Sequence, residues 1–476
     1  MRRSLLPLSR EVIIIGAGPS GLAAARWLLS RGFSPRIYEA HSQVGGQWSW
    51  TNPRSGVWPQ MVSNTYRDAT RFSDLNFPDR TPIFPHNSVV RDYFESFANK
   101  FGILDLIQFG TSLRQLRRGD TGWELELDRD GTQLTDTAPY VVVATGRFNA
   151  PVIPDIPGAE NMSGELGLIH AFNYKSPKAY QDKRVAVLGG SISSLEIASD
   201  LSMLGAASVH LCQRRQRYVN PKMFLGVPIE YRLFTYERGR LALDDPDALM
   251  RDSEAKVMEH AGDPSNYGTP KPHSDFAKAG ATGSQHYLNL VAEGRVHPLP
   301  WPKEIDGTSI RFADDRAIEV DGIIAGTGYQ LSLPFLPSDI AATLNLSDTS
   351  IDLDSFTFHP DLPGLAFMGL WSQAGSYPTP IEQQARFLAY TWSGQIPRPV
   401  DTMREGLLDC VREGHQTMPH SQAEMALRFA RLCGTDPLGE TDGWEAEHIK
   451  ASPTTSMLYR RVGPDRIEPA ERMNDG

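Results

Sequence analysis

The residues with the most chemical content lie near the N-terminus, in Gly16-Ala17-Gly18-Pro19-Ser20-Gly21, with Glu39 following 18 residues beyond Gly21. Glycines at this spacing let a chain turn tightly, approach a pyrophosphate and enter a helix whose N-terminal N–H groups favour negative charge. Gly16 suits the turn, Gly18 the approach and Gly21 the packing of helix on strand, and Ser20 stands in the same phosphate-facing loop. Glu39 is placed to accept both hydroxyls of an adenosine ribose, and its charge repels a 2′-phosphate. This site is expected to prefer FAD or NAD over NADP. A glycine-rich turn without ligand is the competing reading, and it leaves the carboxylate's spacing unexplained. Six residues after Glu39, Gly45-Gly46-Gln47-Trp48 offers paired glycines for a chain running against a flat ring, with Gln47 and Trp48 to bond or cover it.

A second loop, Gly189-Gly190-Ser191-Ile192-Ser193-Ser194, keeps the first glycine but has Ser191 and Ser194 where the second and third would be. Serine hydroxyls, Ser193 included, can bond phosphate, and Ser194 is small enough for helix packing. Where the first site has Glu39, this one has Gln213-Arg214-Arg215. The reversal of charge at Arg214 and Arg215 favours a 2′-phosphate and so NADPH. Cys212, Cys410 and Cys433 stand too far apart for a metal cluster, a disulfide framework or a flavin-coupled dithiol. No metal is expected.

These loops need elements to hold them. Glu11 to Gly16 reads as a short buried strand, and Leu22, Ala25, Leu28 and Leu29 as one face of a helix ending at Gly32. Arg36 to Glu39 is the next strand. The same order recurs in Arg184 to Leu188, a helix over Leu195 to Leu204, and a strand over Ser208 to Cys212. Two such units predict an α/β protein with two Rossmann-like dinucleotide-binding domains. The expected division is 1–165 for the first part of an FAD-binding domain, 166–325 for an NADPH-binding domain, and 326–476 for a return to the first domain plus a C-terminal segment. Residues 244–276 read as a polar excursion in which only Ala248 to His260 looks helical. Met1 to Arg10 reads as a ragged terminus and Ala451 to Gly476 as a weakly ordered tail.

A length of 476 residues suits two to four domains, and 40% hydrophobic residues suit a globular chain. The net charge of −10 repels phosphate backbones and anionic lipid headgroups, so neither nucleic acid nor membrane is expected as a partner. No apolar stretch approaches the roughly 20 residues that cross a bilayer. Sparse cysteines point to a reducing, cytoplasmic setting. The oligomer is left open, a homodimer included.

Taken together these residues resemble the class B flavin monooxygenases, in particular the flavin-containing, N- and S-oxygenating branch. The resemblance spans about residues 11 to 395. It also rests on Val143-Ala144-Thr145-Gly146, on Asp321 to Tyr329 (DGIIAGTGY) and on Glu382-Gln383-Gln384-Ala385-Arg386, in the family's order. The family's FxGxxxHxxxY/F sequence is half present: His170 to Tyr174 matches, but Gly164 lies six residues before His170 and Met162 replaces the aromatic. The absent Trp-Pro ending disfavours the Baeyer-Villiger branch. His170 reads as a hinge or capping residue, with linker geometry as its role. Asn64, in Val62-Ser63-Asn64-Thr65, matches the family asparagine beside flavin and nicotinamide; a turn asparagine is the plainer reading.

The resemblance implies FAD, NADPH and O₂, with one oxygen atom passing from a C4a-hydroperoxyflavin to a soft nitrogen or sulfur of a small molecule. It implies chemistry carried by the cofactors, with Asn64 as the catalytic side chain and no general base. Baeyer-Villiger oxidation of a ketone, amine N-hydroxylation and a non-catalytic flavin/NADP redox-sensing module remain as alternatives.

Overall fold

Four consecutive residues of the first strand, Val12 to Ile15, are buried, which requires a sheet covered on both faces. The computed structural model describes residues 9–413, 419–439 and 441–467. Its first sheet runs, in spatial order, Leu365–Phe367, Tyr140–Val143, Glu11–Ile15, Ser34–Tyr38, Ile107–Gln108, all parallel. Val12 and Ile14 enter one apolar cluster and Ile13 and Ile15 another, as the two-residue period of a strand demands. The second sheet runs His297–Pro300, Ser208–Gln213, Arg184–Leu188, Gly322–Ala325, Gly167–His170, also parallel. Val185 and Val187 likewise face one cluster, Ala186 and Leu188 the other. The α/β fold with paired mononucleotide-binding units is therefore present, with helices Pro19–Leu29 and Ile192–Met203 following the two glycine loops.

The first sheet is closed from far along the chain. Every residue of helix Pro378–Trp392, which packs on Pro19–Leu29, is buried, its polar ones included. Glu382 accepts from the Ser73 N–H at 2.8 Å and from the Ser73 hydroxyl. Gln384 donates to Phe356 O at 2.9 Å and Phe367 O at 3.0 Å and accepts from the Gly369 N–H at 2.9 Å. Arg386 donates to Tyr459 O at 2.8 Å. The Glu382 to Arg386 motif is thus a buried clamp on the last strand of the first sheet.

Two expectations are corrected. The stretch from Ala451 is not loose as far as it is described. Ser456–Arg460 forms a short helix with Tyr459 fully buried, and Arg460 donates to Ser73 Oγ at 2.6 Å and Asp74 Oδ1 at 2.8 Å. Residues 1–8 and 468–476, the remainder of the two expected loose ends, lie outside the described residues. The excursion is also larger than 244–276. It begins at Tyr218–Asn220, which pairs with Ala281–Gly283, and includes helices Tyr236–Asp244 and Pro246–His260, the second capped by Asp245.

It packs against the C-terminal part. A side chain at Gly239 would lie 2.6 Å from Ala423 O, so the helices Tyr236–Asp244 and Gln422–Cys433 approach at backbone distance. Arg431 makes paired bonds of 2.9 and 3.1 Å to Asp244. Tyr236 Oη donates to Asp436 at 2.7 Å, and Thr454 N–H to Phe234 O at 2.7 Å. We call this region, 218–286, the insert.

A Cβ at Gly21 would fall inside the radius of Gly16 O, whereas one at Gly18 would meet nothing closer than 3.6 Å. Gly21→Ala should therefore lower stability by about 1–3 kcal/mol in thermal or denaturant unfolding. Gly18→Ala should stay within about 0.5 kcal/mol of wild type. Equal losses would show that the helix has room to shift.

Candidate active site

Both glycine loops sit at the carboxyl ends of parallel strands, where open α/β sheets bind ligands. Gly16 has φ +104°, and a Cβ there would lie 2.5 Å from Ala144 O, at the end of the neighbouring strand. Gly189 repeats this closure with φ +123° and a would-be Cβ 2.6 Å from Gly326 O. Each cradle is therefore a strand end pressed against the next strand's end. The Ala144-Thr145-Gly146 and Gly326-Thr327-Gly328 sequences are the second lips of the two cradles.

In the first cradle, Glu39 is 8% exposed and its carboxylate accepts from the N–H of Ala17 at 2.7 Å and of His41 at 2.8 Å. The charge is thus fixed at the glycine loop. Gly45 and Gly46, at φ +101° and +55°, bring the chain back over it: Gly45 N–H donates to Ala17 O at 3.0 Å, and a Cβ on Gly46 would lie 3.1 Å from the Gly18 Cα. Trp48 packs on the first core beside them, and Ser20 Oγ lies against Gly369. Gln47 bonds to the protein at both ends of its amide. Its amide donates to Arg54 O at 2.7 Å and Phe148 O at 3.0 Å and accepts from the Gly56 N–H at 2.8 Å. It ties the chain near residues 54–56 to that at Phe148.

In the second cradle, Ser191 and Ser193 are exposed at the start of the helix, and the Ser191 side chain makes no cap bond. Ser194 is fully buried, and its hydroxyl donates to Leu188 O at 3.2 Å and Gly326 O at 3.1 Å. Both carbonyls lie at the strand ends, so the hydroxyl serves the helix packing expected of this small residue. Gln213 is buried against Gln216, and Arg214 and Arg215 stand exposed at the rim. The Arg214 guanidinium rests over the Trp301 ring at 4.5 Å. Arg215 donates to Lys278 O at 2.7 Å.

Between the sheets, Ala150–Pro151 pairs with Tyr329–Gln330. Phe148, His170 and Phe172 all pack on the Tyr329 ring at 5.2 to 6.0 Å between centroids. His170 caps the short helix after it by accepting from Phe172 N–H at 3.0 Å, the geometric role anticipated for it. Burial lowers its pKa.

Asn64 lies in a pinned turn. Ser63 N–H donates to Pro85 O at 2.8 Å and the Ser63 hydroxyl to Thr65 O at 2.7 Å. Two residues that sequence reasoning missed hold the turn from the insert: Lys222 Nζ donates to Ser63 O at 3.0 Å, and Glu230 Oε1 accepts from the Tyr66 N–H at 3.0 Å. No local signal marks either, since their partners lie about 160 residues earlier.

The residues present fit a bound flavin and nicotinamide. Buried polar atoms are nearly always bonded, yet Asn64 Oδ1 and Thr145 Oγ1 are buried without a partner. Gly18 is the N-cap of helix Pro19–Leu29, and a Cβ there would meet only Gly46, at 3.6 Å. Among the described residues no group of side chains could hold a metal ion, and no helix is long and apolar enough to cross a membrane.

The buried hydroxyl of Ser194 yields a sharp expectation. Ser194→Ala should cost about 1 kcal/mol of stability and leave the dissociation constant for NADPH within about twofold. A tenfold loss of affinity, measured by fluorescence titration, would restore the phosphate contact.

Residues 9–424 match the family model described as FMO-like, flavin-binding monooxygenase-like. Flavin-containing monooxygenase 5 of Rattus norvegicus is 28% identical over 487 residues, covering 96% of this chain and 90% of its own. Flavin-containing monooxygenase 2 of Homo sapiens is 27% identical, covering 97% and 90%. Among solved structures, S-allyl-L-cysteine S-oxygenase from Allium sativum superposes with a TM-score of 0.65 at 22% identity, over 91% of this chain and 89% of that one. An open form of cyclohexanone monooxygenase gives 0.68 at 17% identity, over 93% and 98%. At such identities the superpositions speak for the fold, and the family match carries the chemistry. The chain is an oxidoreductase that belongs to the flavin-binding monooxygenase family, whose cofactors are FAD and NADPH.

Proposed function

We propose that this chain uses FAD and NADPH to pass one atom of O₂ to a soft nitrogen or sulfur of a small molecule. The observation that carries the assignment of cofactors to cradles is the contrast in charge. A buried carboxylate, Glu39, faces the first glycine loop, and an exposed guanidinium, Arg214, stands at the rim of the second. FAD would lie in the first, with its pyrophosphate over Gly18 and its ribose on Glu39. NADPH would lie in the second, with its 2′-phosphate at Arg214 and Arg215 and its pyrophosphate by Ser191 and Ser193. Bound there, the two cofactors supply a hydride and, with O₂, an electrophilic oxygen.

The chain's own part is orientation and exclusion of water. Asn64 offers an acceptor and two donors without charge, and its unpartnered Oδ1 supports a role in holding an amide or an oxygen in place. The aromatic group of Phe148, Phe172 and Tyr329 shields the junction of the two sheets. Transfer to nitrogen or sulfur is favoured by the curated relatives, among them the dimethylaniline monooxygenase [N-oxide-forming] 2 of Cavia porcellus, 27% identical over 98% of this chain. The absent Trp-Pro ending agrees.

The decisive test is a screen of tertiary amines, thioethers and ketones with NADPH and air, with products identified by mass. N-oxides or sulfoxides are expected; ester products alone would overturn the reading. Arg214→Ala should raise KM for NADPH about tenfold and leave that for NADH unchanged, since a guanidinium–phosphate bond is worth about 1.5–3 kcal/mol before screening. Equal effects on both coenzymes would reassign the arginine. Asn64→Ala should keep FAD bound and NADPH oxidation running while diverting most electrons to hydrogen peroxide. Unchanged yield of product per NADPH would remove Asn64 from the mechanism.

A further inference from the structure

Glu230 is a buried acid that the proposed chemistry does not use. It opens the short helix Glu230–Leu233 of the insert and is 2% exposed. One carboxylate oxygen accepts from the N–H of Tyr66, two residues beyond Asn64. The other is buried without a partner, as are the Tyr66 hydroxyl and Asn64 Oδ1. The Tyr231 ring lies 5.2 Å from that of Tyr66, and Lys222 grips Ser63 O on the other side of Asn64. The insert therefore holds the Asn64 turn at both ends, by one ammonium and one carboxyl.

We propose that Glu230 is a positioning residue: its carboxyl holds the Asn64 turn through the Tyr66 N–H, and gain or loss of a proton on that carboxyl sets how tightly the turn is held. This rests on the reading of Asn64 given above. A carboxylate accepts an N–H bond roughly twice as strongly as a neutral carboxyl group. The ionised form therefore clamps the turn and the protonated form relaxes it. Burial pushes Glu230 up from 4.5 to about 7, and its own backbone N–H, the Tyr66 N–H and Lys222 pull it partly back. The other groups facing this cluster are Tyr66 and Tyr231, whose phenols burial raises, with Asp68 and Arg71 on the turn side; Asp200 and Glu196 share Lys222.

Because folding raises this pKa, ionisation opposes folding. The cost grows as pH rises from about 4.5 and is complete above about 7. An acid kept there against stability, beside a pinned turn, is the pattern of a functional group.

The experiment measures hydrogen exchange of the Tyr66 amide in the FAD-loaded protein at pH 6 and pH 8, each divided by the rate of an unstructured peptide. For the local opening that breaks the Tyr66 N–H bond while Glu230 stays buried, protection should be about fivefold greater at pH 8, because that bond favours the carboxylate. Lower protection at pH 8 would show that opening hydrates Glu230 and would overturn the proposal. Glu230→Gln, which keeps an acceptor oxygen but cannot ionise, should show the lower protection at both values. Should Glu230→Gln not fold, Lys222→Met supplies the test, because loss of the positive charge should move the midpoint upward by about one pH unit. Hydrogen peroxide released per NADPH should rise in the wild type from pH 8 to pH 6 and be high at both values in Glu230→Gln. A wild-type amide with no pH dependence overturns the proposal, and so does a dependence that survives Glu230→Gln or a midpoint unmoved by Lys222→Met. If Asn64→Ala leaves peroxide release unchanged, the Asn64 reading fails and takes this one with it. If Asn64→Ala raises it and Glu230→Gln does not, only the role of Glu230 falls.

Discussion

There is no room for a side chain where the end of one parallel strand meets the end of its neighbour, and both cradles depend on that constraint. At Gly16 the obstruction is Ala144 O and at Gly189 it is Gly326 O. The close approach brings two loops from neighbouring strands within a few ångströms of each other, so that groups far apart in sequence converge on one helix N-terminus. Ser194 shows how the constraint is relaxed. A hydroxyl enters where a glycine would stand because two strand-end carbonyls accept from it, and the side chain's volume is offset by hydrogen bonds.

The two charged groups that distinguish the cradles are held in opposite ways. Glu39 is buried and receives two backbone N–H groups, so its position is set before any ligand arrives. Arg214 is exposed and held by the face of one indole ring. A preorganised group suits a ligand that stays, and a hinged one suits a ligand that arrives and departs with every turnover. The same asymmetry extends to the surrounding loops, since Gln47 ties the first cradle to Phe148 and Gly56 while Ser191 and Ser193 of the second stand open.

The cradles are legible in the sequence because each is a contiguous unit of about 30 residues whose strand, turn and helix carry their own signatures. Side chains whose partners are distant are legible only in place. Gln47 and Ser194 sit where motif reading puts them, yet their bonds go to residues 101 and 132 positions away. The insert and the C-terminal segment misled for the same reason: their charged residues read as solvated, but Asp244 meets Arg431 and Arg460 meets Asp74 across the fold. Lys222 and Glu230 leave no local trace, because what makes them notable is the Asn64 turn they grip.

The position of Leu365–Phe367 has a consequence for synthesis. This strand lies in the first sheet, beside Tyr140–Val143, and helix Pro378–Trp392 covers the helix Pro19–Leu29. The strands of the second sheet, by contrast, all fall between Gly167 and Ala325. On the ribosome the later unit can therefore complete its sheet while the earlier one still lacks an edge strand and a covering helix. The N-terminal cradle is made first and finished last, and until residue 392 has emerged its apolar face needs shelter from other chains.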